Sequence, residues 1–169
     1  MIIRTETENE FNQIYDLVKI AFQTAKVSNG KEQDFTIELR SSGNYIQELS
    51  LVAEEEGKLV GHVMLTKTYI TNCESKFEAL LLAPISVLLE SRNKGIGSEL
   101  IKESFRLAKK LGYTVVFLVG DPAYYQRFGF RPAVNFGIKH TYEIPDENVM
   151  ACELVPNALK GICGKIDCA

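Results

Sequence analysis

The stretch Pro84-Ile85-Ser86-Val87-Leu88-Leu89-Glu90-Ser91-Arg92-Asn93-Lys94-Gly95-Ile96-Gly97-Ser98-Glu99-Leu100-Ile101 decides the reading of the whole chain. An apolar run ends at Leu89, a short turn carries two close glycines, Gly95 and Gly97, and an amphipathic segment runs from Ser98 to Leu111. Ile96, Leu100, Ile101, Leu107, Ala108 and Leu111 fall on one helical face, with Glu99, Lys102, Glu103, Arg106, Lys109 and Lys110 on the other. The order is strand, glycine turn, helix N-terminus. Unpaired N–H groups there, with the positive end of the helix dipole, make an anion site. Glycines let the backbone approach a bulky polyanion because no Cβ intervenes.

Working outward toward the end of the chain, Gly112 fits the left-handed residue that closes a helix. Thr114 to Val119 reads as a buried strand from its β-branched content. Phe77 to Leu89 is a long apolar strand interrupted by Pro84, where a bulge or a parting of neighbours is expected. The strand–helix–strand unit from Phe77 to Val119 implies parallel pairing through a right-handed crossover. Asp121 is a good N-cap and Pro122 a good first residue for a short helix over Ala123–Phe128, stopped by Gly129. Beyond Arg131 the pattern is irregular, with strands expected near 138–144, 149–154 and 162–166.

Working outward toward the start, Ile2-Ile3-Arg4 is a short strand and Thr7-x-x-Glu10 a capping box opening a helix. A weaker helix covers Lys31 to Arg40. Leu49–Glu55 and Leu59–Thr71 form a hairpin about Glu56-Gly57-Lys58, the second strand apolar on both faces.

The length of 169 residues suits one domain, residues 1–169, with a real core. A net charge of −3 with no basic tract argues against nucleic acid as the main partner. No apolar run can span a bilayer and no signal peptide is visible, so no membrane partner and a cytoplasmic setting are expected. Cys73, Cys152, Cys163 and Cys168 contain no C-x-x-C pair, and only His62 and His140 accompany them. Four free thiols and no metal site follow.

Three phosphate loops compete for Gly95-Ile96-Gly97. A Walker A loop requires Gly-Lys-Ser/Thr, and a dinucleotide fingerprint requires a glycine where Leu100 stands. Neither fits. Arg92-Asn93-Lys94-Gly95-Ile96-Gly97 instead resembles the Arg/Gln-x-x-Gly-x-Gly/Ala signature of the GCN5-related N-acetyltransferases, the GNAT family. A second landmark, Ala123-Tyr124-Tyr125-Gln126-Arg127-Phe128-Gly129-Phe130, looks like that family's aromatic pair followed by Gly-Phe, one helix and one strand further on. With Gly120-Asp121-Pro122 in front, the segment resembles bacterial predicted acetyltransferases of the YhbS type.

The resemblance implies an α/β fold with a mixed central sheet splayed between two parallel strands and helices on both faces. It implies acetyl-CoA as cosubstrate and direct transfer to a primary amine of a small molecule or protein. Pyrophosphate contacts would come from Arg92, Asn93, Lys94, Gly95, Ile96, Gly97 and Ser98, mostly through backbone N–H groups. Ile85 and Val87 would pair their backbones with pantetheine as an added strand does. Tyr125 stands where the family keeps a general acid, while packing among Tyr124, Phe128 and Phe130 is its bland role. Tyr124 is read as a wall. Asp121 borders the pantetheine or simply caps its helix, and the cap is favoured.

The sequence departs from some family members in one respect. Ala79–Leu89 holds no carboxylate to act as general base. Glu54, Glu55, His62 or a water chain remain open. The missing carboxylate keeps a non-catalytic acyl-CoA-binding module as the alternative. Acceptor choice is expected in residues 23–47, 71–76 and 131–148, and the chain as a monomer or homodimer.

Overall fold

The structure, a computed structural model, describes residues 1–25 and 28–167. Cys168 therefore lies outside the described residues, while Cys73, Cys152 and Cys163 are free thiols. The elements run β1 (Ile2–Thr5), α1 (Phe11–Phe22), α2 (Glu32–Ser41), β2 (Tyr45–Glu55), β3 (Lys58–Thr71), β4 (Lys76–Val87), α3 (Ile96–Lys110), β5 (Val115–Val119), α4 (Pro122–Tyr125), β6 (Arg131–Pro132), β7 (Ile138–His140), β8 (Val149–Glu153) and β9 (Gly164–Ile166). The sheet is mixed, with β4 parallel to β5 and β7 parallel to β9 among otherwise antiparallel pairs. No helix among the described residues is long and apolar enough to cross a membrane. The chain divides into two compact units, Met1–Thr66 with Ala83–Leu107, and Lys67–Leu82 with Ala108–Ala169.

In the first unit β1 lies antiparallel to β2, and β2 to β3. The capping box forms as its residues dictate. The Glu10 carboxylate accepts from the Thr7 N–H at 3.0 Å, and a 3-10 turn over Glu8–Glu10 leads into α1. β3 is buried on both faces from Leu59 to Thr66, because helices cover both. A Cβ on Gly61 would stand 3.0 Å from Leu100 Cδ1 and 3.2 Å from Ile96 Cγ2, so α3 presses directly on that backbone. The next residue, His62, points to the other face by strand alternation and meets the side of α1 and α2.

That face holds a charged cluster with no counterpart in the sequence reading. Glu6 is 1% exposed. Its carboxylate accepts from Arg40 Nε and Nη2, both at 2.9 Å, and from the Tyr45 hydroxyl at 2.7 Å. His62 Nε2 lies 2.9 Å from Glu6 Oε1 and 3.2 Å from Ser50 Oγ. Burial pulls the Glu6 carboxyl upward, but the bonds from His62 and Arg40 outweigh it and hold the group well below 4.5. Burial lowers His62 below 6.5 despite Glu6. The neutral ring therefore donates its Nε2–H to a charged carboxylate. Arg40 also stacks its guanidinium 4.0 Å over the Phe11 ring, which ties α2 to α1 as well as to Glu6, the residue after β1.

In the second unit β4 pairs parallel with β5 through Leu80–Val116 and Leu81–Phe117, and β5 pairs with β8 from Val115–Glu153 to Val119–Val149. Phe117, Val115, Ala151, Ile138, Ile70 and Ile166 form its core. The irregular end of the chain is thus ordered by docking short strands: β6 on β8, and β9 on both β3 and β7. The parallel β7–β9 pair was not expected from sequence. Leu111, placed on the apolar face of α3 by periodicity, is 44% exposed. It lies past the end of the helix, where Gly112 at φ 93° and its N–H to Lys109 O close the last turn.

Replacing Arg40 by alanine leaves the Glu6 carboxylate buried without its cation. Urea unfolding should show a loss of roughly 3–5 kcal/mol. Both Glu6 and His62 have folded values below their unfolded ones, so the unfolded chain takes up more protons. Their contribution is complete above pH 6.5. It should decline as pH falls, first through His62 below 6.5 and then through Glu6 below 4.5. Unfolding midpoints measured from pH 8 to pH 4 check the sign.

Candidate functional site

In the first unit the end of β4 and the turn after it form one rigid device. Pro84 is buried and follows Ala83 through a cis bond. Leu88 N–H donates to Val60 O at 2.9 Å, and a 3-10 turn at Leu89–Ser91 leads to Arg92. The backbone then enters the left-handed region at Asn93, φ 62°, and again at Gly95, φ 81°. A Cβ at Gly95 would meet nothing within 4 Å, so its glycine is required by the dihedral and not by space. These two residues reverse the chain into α3, and Glu99 N–H to Gly95 O at 3.0 Å is the first helical bond there. The N–H groups of Ile96, Gly97 and Ser98 lie in the first turn, where no carbonyl four residues earlier can serve them. Asn93, Lys94 and Gly95 are exposed, Gly97 and Ser98 half-buried, and Ile96 is buried in the core.

Arg92 holds this turn in place. Its Nε donates to Val87 O at 3.0 Å and its Nη2 to Ala21 O at 2.8 Å. Ala21 is in the last turn of α1, where carbonyls lack helical partners and the dipole is negative. The end of β4 is thereby fastened to the end of α1. Between them lies a cavity of about 180 Å3, lined by Ala21, Phe22 and Ala25 on one side and Ile85, Ser86, Val87 and Arg92 on the other. The structure thus brings Ile85, Val87 and Arg92 together, with α1 as a wall that sequence reading did not assign. Ser86 Oγ in this lining is buried with no hydrogen-bond partner among the described residues.

In the second unit the chain leaves β5 through Gly120 into α4. Asp121 Oδ1 accepts from Ala123 N–H at 2.9 Å, so Asp121 is the helix cap, with Pro122 in the first turn. Tyr125 packs edge-on against Tyr124, centroids 4.9 Å apart, and against Phe130 at 6.0 Å. Burial, with smaller pushes from Tyr124 and Asp121, raises the Tyr125 hydroxyl to about 12. At neutral pH it therefore carries its proton and can give it up only to a stronger base. Tyr124 is fixed from its other side by Arg127, whose guanidinium lies 4.5 Å over the ring.

The Tyr125 ring has one seat. A Cβ at Gly120 would stand 2.6 Å from Tyr125 Cε2. Gly120 is itself gripped by Asn148, its N–H donating to Asn148 O at 2.9 Å and its carbonyl accepting from Asn148 Nδ2 at 3.0 Å. Asn148 lies 28 residues away in an irregular segment, where no local pattern singles it out. Of the base candidates, Glu54 is 3.3 Å from Arg4 and His62 is fully buried against Glu6, so both have structural partners. Glu55 is half-buried at the end of β2.

A glycine-led helix start after a buried strand, and a capped aromatic turn after the next strand, are the two landmarks expected of the GNAT class. Residues 2–133 match the family described as "Acetyltransferase (GNAT) domain", and the chain belongs to it. It is 31% identical over 151 residues to YjhQ of Escherichia coli K12, an uncharacterized N-acetyltransferase, spanning 87% of this chain and 83% of that one. Escherichia coli YhbS, also an uncharacterized N-acetyltransferase, is 26% identical over 168 residues, 99% of this chain and 95% of its own length. The crystal structure of Escherichia coli YhbS in complex with CoA superposes with a TM-score of 0.86 at 25% identity, covering 98% of this chain and 87% of that one. A GNAT family acetyltransferase from Brucella melitensis in complex with acetyl-CoA gives 0.78 at 27% identity, covering 98% and 93%.

Gly120→Ala must push the Tyr125 ring from its seat. With no tryptophan in the chain, the near-ultraviolet circular dichroism is dominated by tyrosine. It should change, with a stability loss of about 1–3 kcal/mol. An unchanged spectrum would show that the ring is not held there.

Proposed function

We propose that the protein transfers an acetyl group from acetyl-CoA directly to a primary amine. The observation that carries this is the helix start at Ile96–Ser98, presented by left-handed Asn93 and Gly95 directly after Arg92, which itself lines the Ile85–Val87 cavity. Two relatives, 25% and 27% identical over nearly the whole chain, hold CoA and acetyl-CoA respectively. The first-turn N–H groups, with the backbones of Asn93 to Gly95, take the pyrophosphate. The backbones of Ile85 and Val87 pair with the pantetheine arm. Arg92 acts through its neighbours. Its guanidinium already serves two carbonyls, so its main task is to keep the cavity walls apart by a fixed distance.

Acetyl-CoA supplies a thioester whose carbonyl carbon the amine attacks, forming C–N and releasing the thiolate. Tyr125 donates its hydroxyl proton to that sulfur, and Tyr124 walls the arm. The amine proton leaves to Glu55 or through water, since Glu54 and His62 have structural partners. The net charge of −3 favours a cationic small-molecule or protein amine over a polyanionic acceptor, in a cytoplasmic setting.

Tyr125→Phe should lower kcat about 100-fold, while the CoA affinity measured by calorimetry stays nearly unchanged. Because the hydroxyl loses its proton only near pH 12, the wild-type rate should rise with pH as the amine deprotonates, with no acidic-group fall below pH 9. The absence of a carboxylate in Ala79–Leu89 favours a second reading, an acyl-CoA-binding module without turnover. Tight acetyl-CoA binding with no acetylated product across a panel of amines would establish it.

A further inference from the structure

We propose that Cys73 and Cys163 form a reversible disulfide that locks the turn between β3 and β4 to β9. Strand β9 runs antiparallel to the end of β3, with Ile70 opposite Ile166 and Thr71 opposite Lys165. Opposite residues in such a ladder share a face and have Cα atoms roughly 4.5–5.5 Å apart. That separation is within the span a disulfide bridges. Ile70 and Ile166 are both buried, and Thr71 and Lys165 are both exposed. Two residues beyond the last registered pair stand Cys73, inside the Asn72–Ser75 turn, and Cys163, just before β9, and both thiols are exposed.

Two contacts keep the backbones together past the last registered pair. Asn72 Nδ2 donates to Cys163 O at 2.8 Å. A Cβ at Gly164 would stand 2.5 Å from Thr71 O, so only glycine allows so close an approach. Asn72 also fixes the turn that carries Cys73. Its Oδ1 accepts from the N–H groups of Glu74 and Ser75, each at 2.9 Å, and its own N–H donates to Ser75 O at 3.1 Å. One asparagine thus orders the segments of both cysteines. Cys152 is a bystander, buried against the Phe128 carbonyl with its thiol pushed up to about 11 by burial.

The oxidant is a peroxide. The thiolate of one cysteine attacks the O–O bond, giving a sulfenic acid and one water. The second thiol displaces the sulfenic oxygen as another water and closes the S–S bond. Two electrons pass from the sulfur pair to the peroxide, and a small thiol reverses the reaction by exchange. Because β9 also pairs with β7, the bridge joins the 71–76 turn to Ile138–His140. Both lie in segments expected to govern acceptor choice. That consequence rests on the proposed transfer reaction; the bridge itself does not.

The test uses the purified full chain, reduced and then treated with stoichiometric hydrogen peroxide. Thiol titration under denaturing conditions should fall from four to two, and non-reducing peptide mapping should find Cys73 joined to Cys163. Dithiothreitol should restore all four. The oxidised monomer should melt several degrees above the reduced one. Cys73→Ser and Cys163→Ser should each abolish the bridge, whereas Cys168→Ser should leave it intact. A bridge that uses Cys168, dimers linked between chains, oxidation of single cysteines without a bridge, or no thiol loss would each overturn the proposal.

Discussion

The Arg92 guanidinium, bonded to Val87 O and Ala21 O, is the interaction on which the rest of the first unit depends. Both acceptors are backbone carbonyls at the ends of elements, where the regular ladder gives out. A charged donor satisfies them more strongly than a neutral one. The bond to Val87 fixes where β4 stops, and the bond to Ala21 fixes where α1 stops. The turn through Asn93 and Gly95 then has one course into α3, and the N–H groups of its first turn are aimed before any ligand arrives. If that turn takes the pyrophosphate as proposed, an arrangement fixed in advance loses little on binding, which is the physical advantage of backbone donors over long side chains.

The same unit is braced a second time by Glu6. Its carboxylate gathers Arg40 from α2, Tyr45 at the start of β2 and His62 from β3. A buried ion pair adds little net stability compared with an apolar packing of the same shape, but losing one member is costly. The cluster therefore acts more as a constraint on position than as a source of stability. It holds α2, and through Arg40 on Phe11 also α1, against the strands. Since Arg92 anchors to the other end of α1, both ends of that helix are set by arginines.

Features governed by neighbours in sequence were legible from the chain alone. The capping box at Thr7, the left-handed Gly112, the helix stop at Gly129, the Asp121 cap and the parallel β4–β5 pair all follow from local residue chemistry and connection rules. Features governed by distant partners were not. Arg92 is plainly a basic residue on a phosphate-loop motif, and nothing local reveals that its guanidinium reaches a carbonyl 71 residues earlier. Asn148, which seats Gly120 and hence Tyr125, sits in a segment with no periodicity to read. β2 begins at Tyr45, four residues before the apolar run, because a register shift between Tyr45 and Ser50 hides the alternation. The Glu6 cluster is assembled by the residue after β1 together with β2, β3 and α2, and a lone buried acid gives no sequence signal until its partners are known.

Calorimetric titration of the ligand-free protein can compare CoA with 4′-phosphopantetheine, which keeps the arm and one phosphate but lacks the second phosphate and the 3′-phosphoadenosine. If the backbone N–H groups before and within the first turn of α3 hold the pyrophosphate, CoA should bind at least about 100-fold more tightly, the worth of two charge-assisted bonds. Equal affinities for the two compounds would contradict the account.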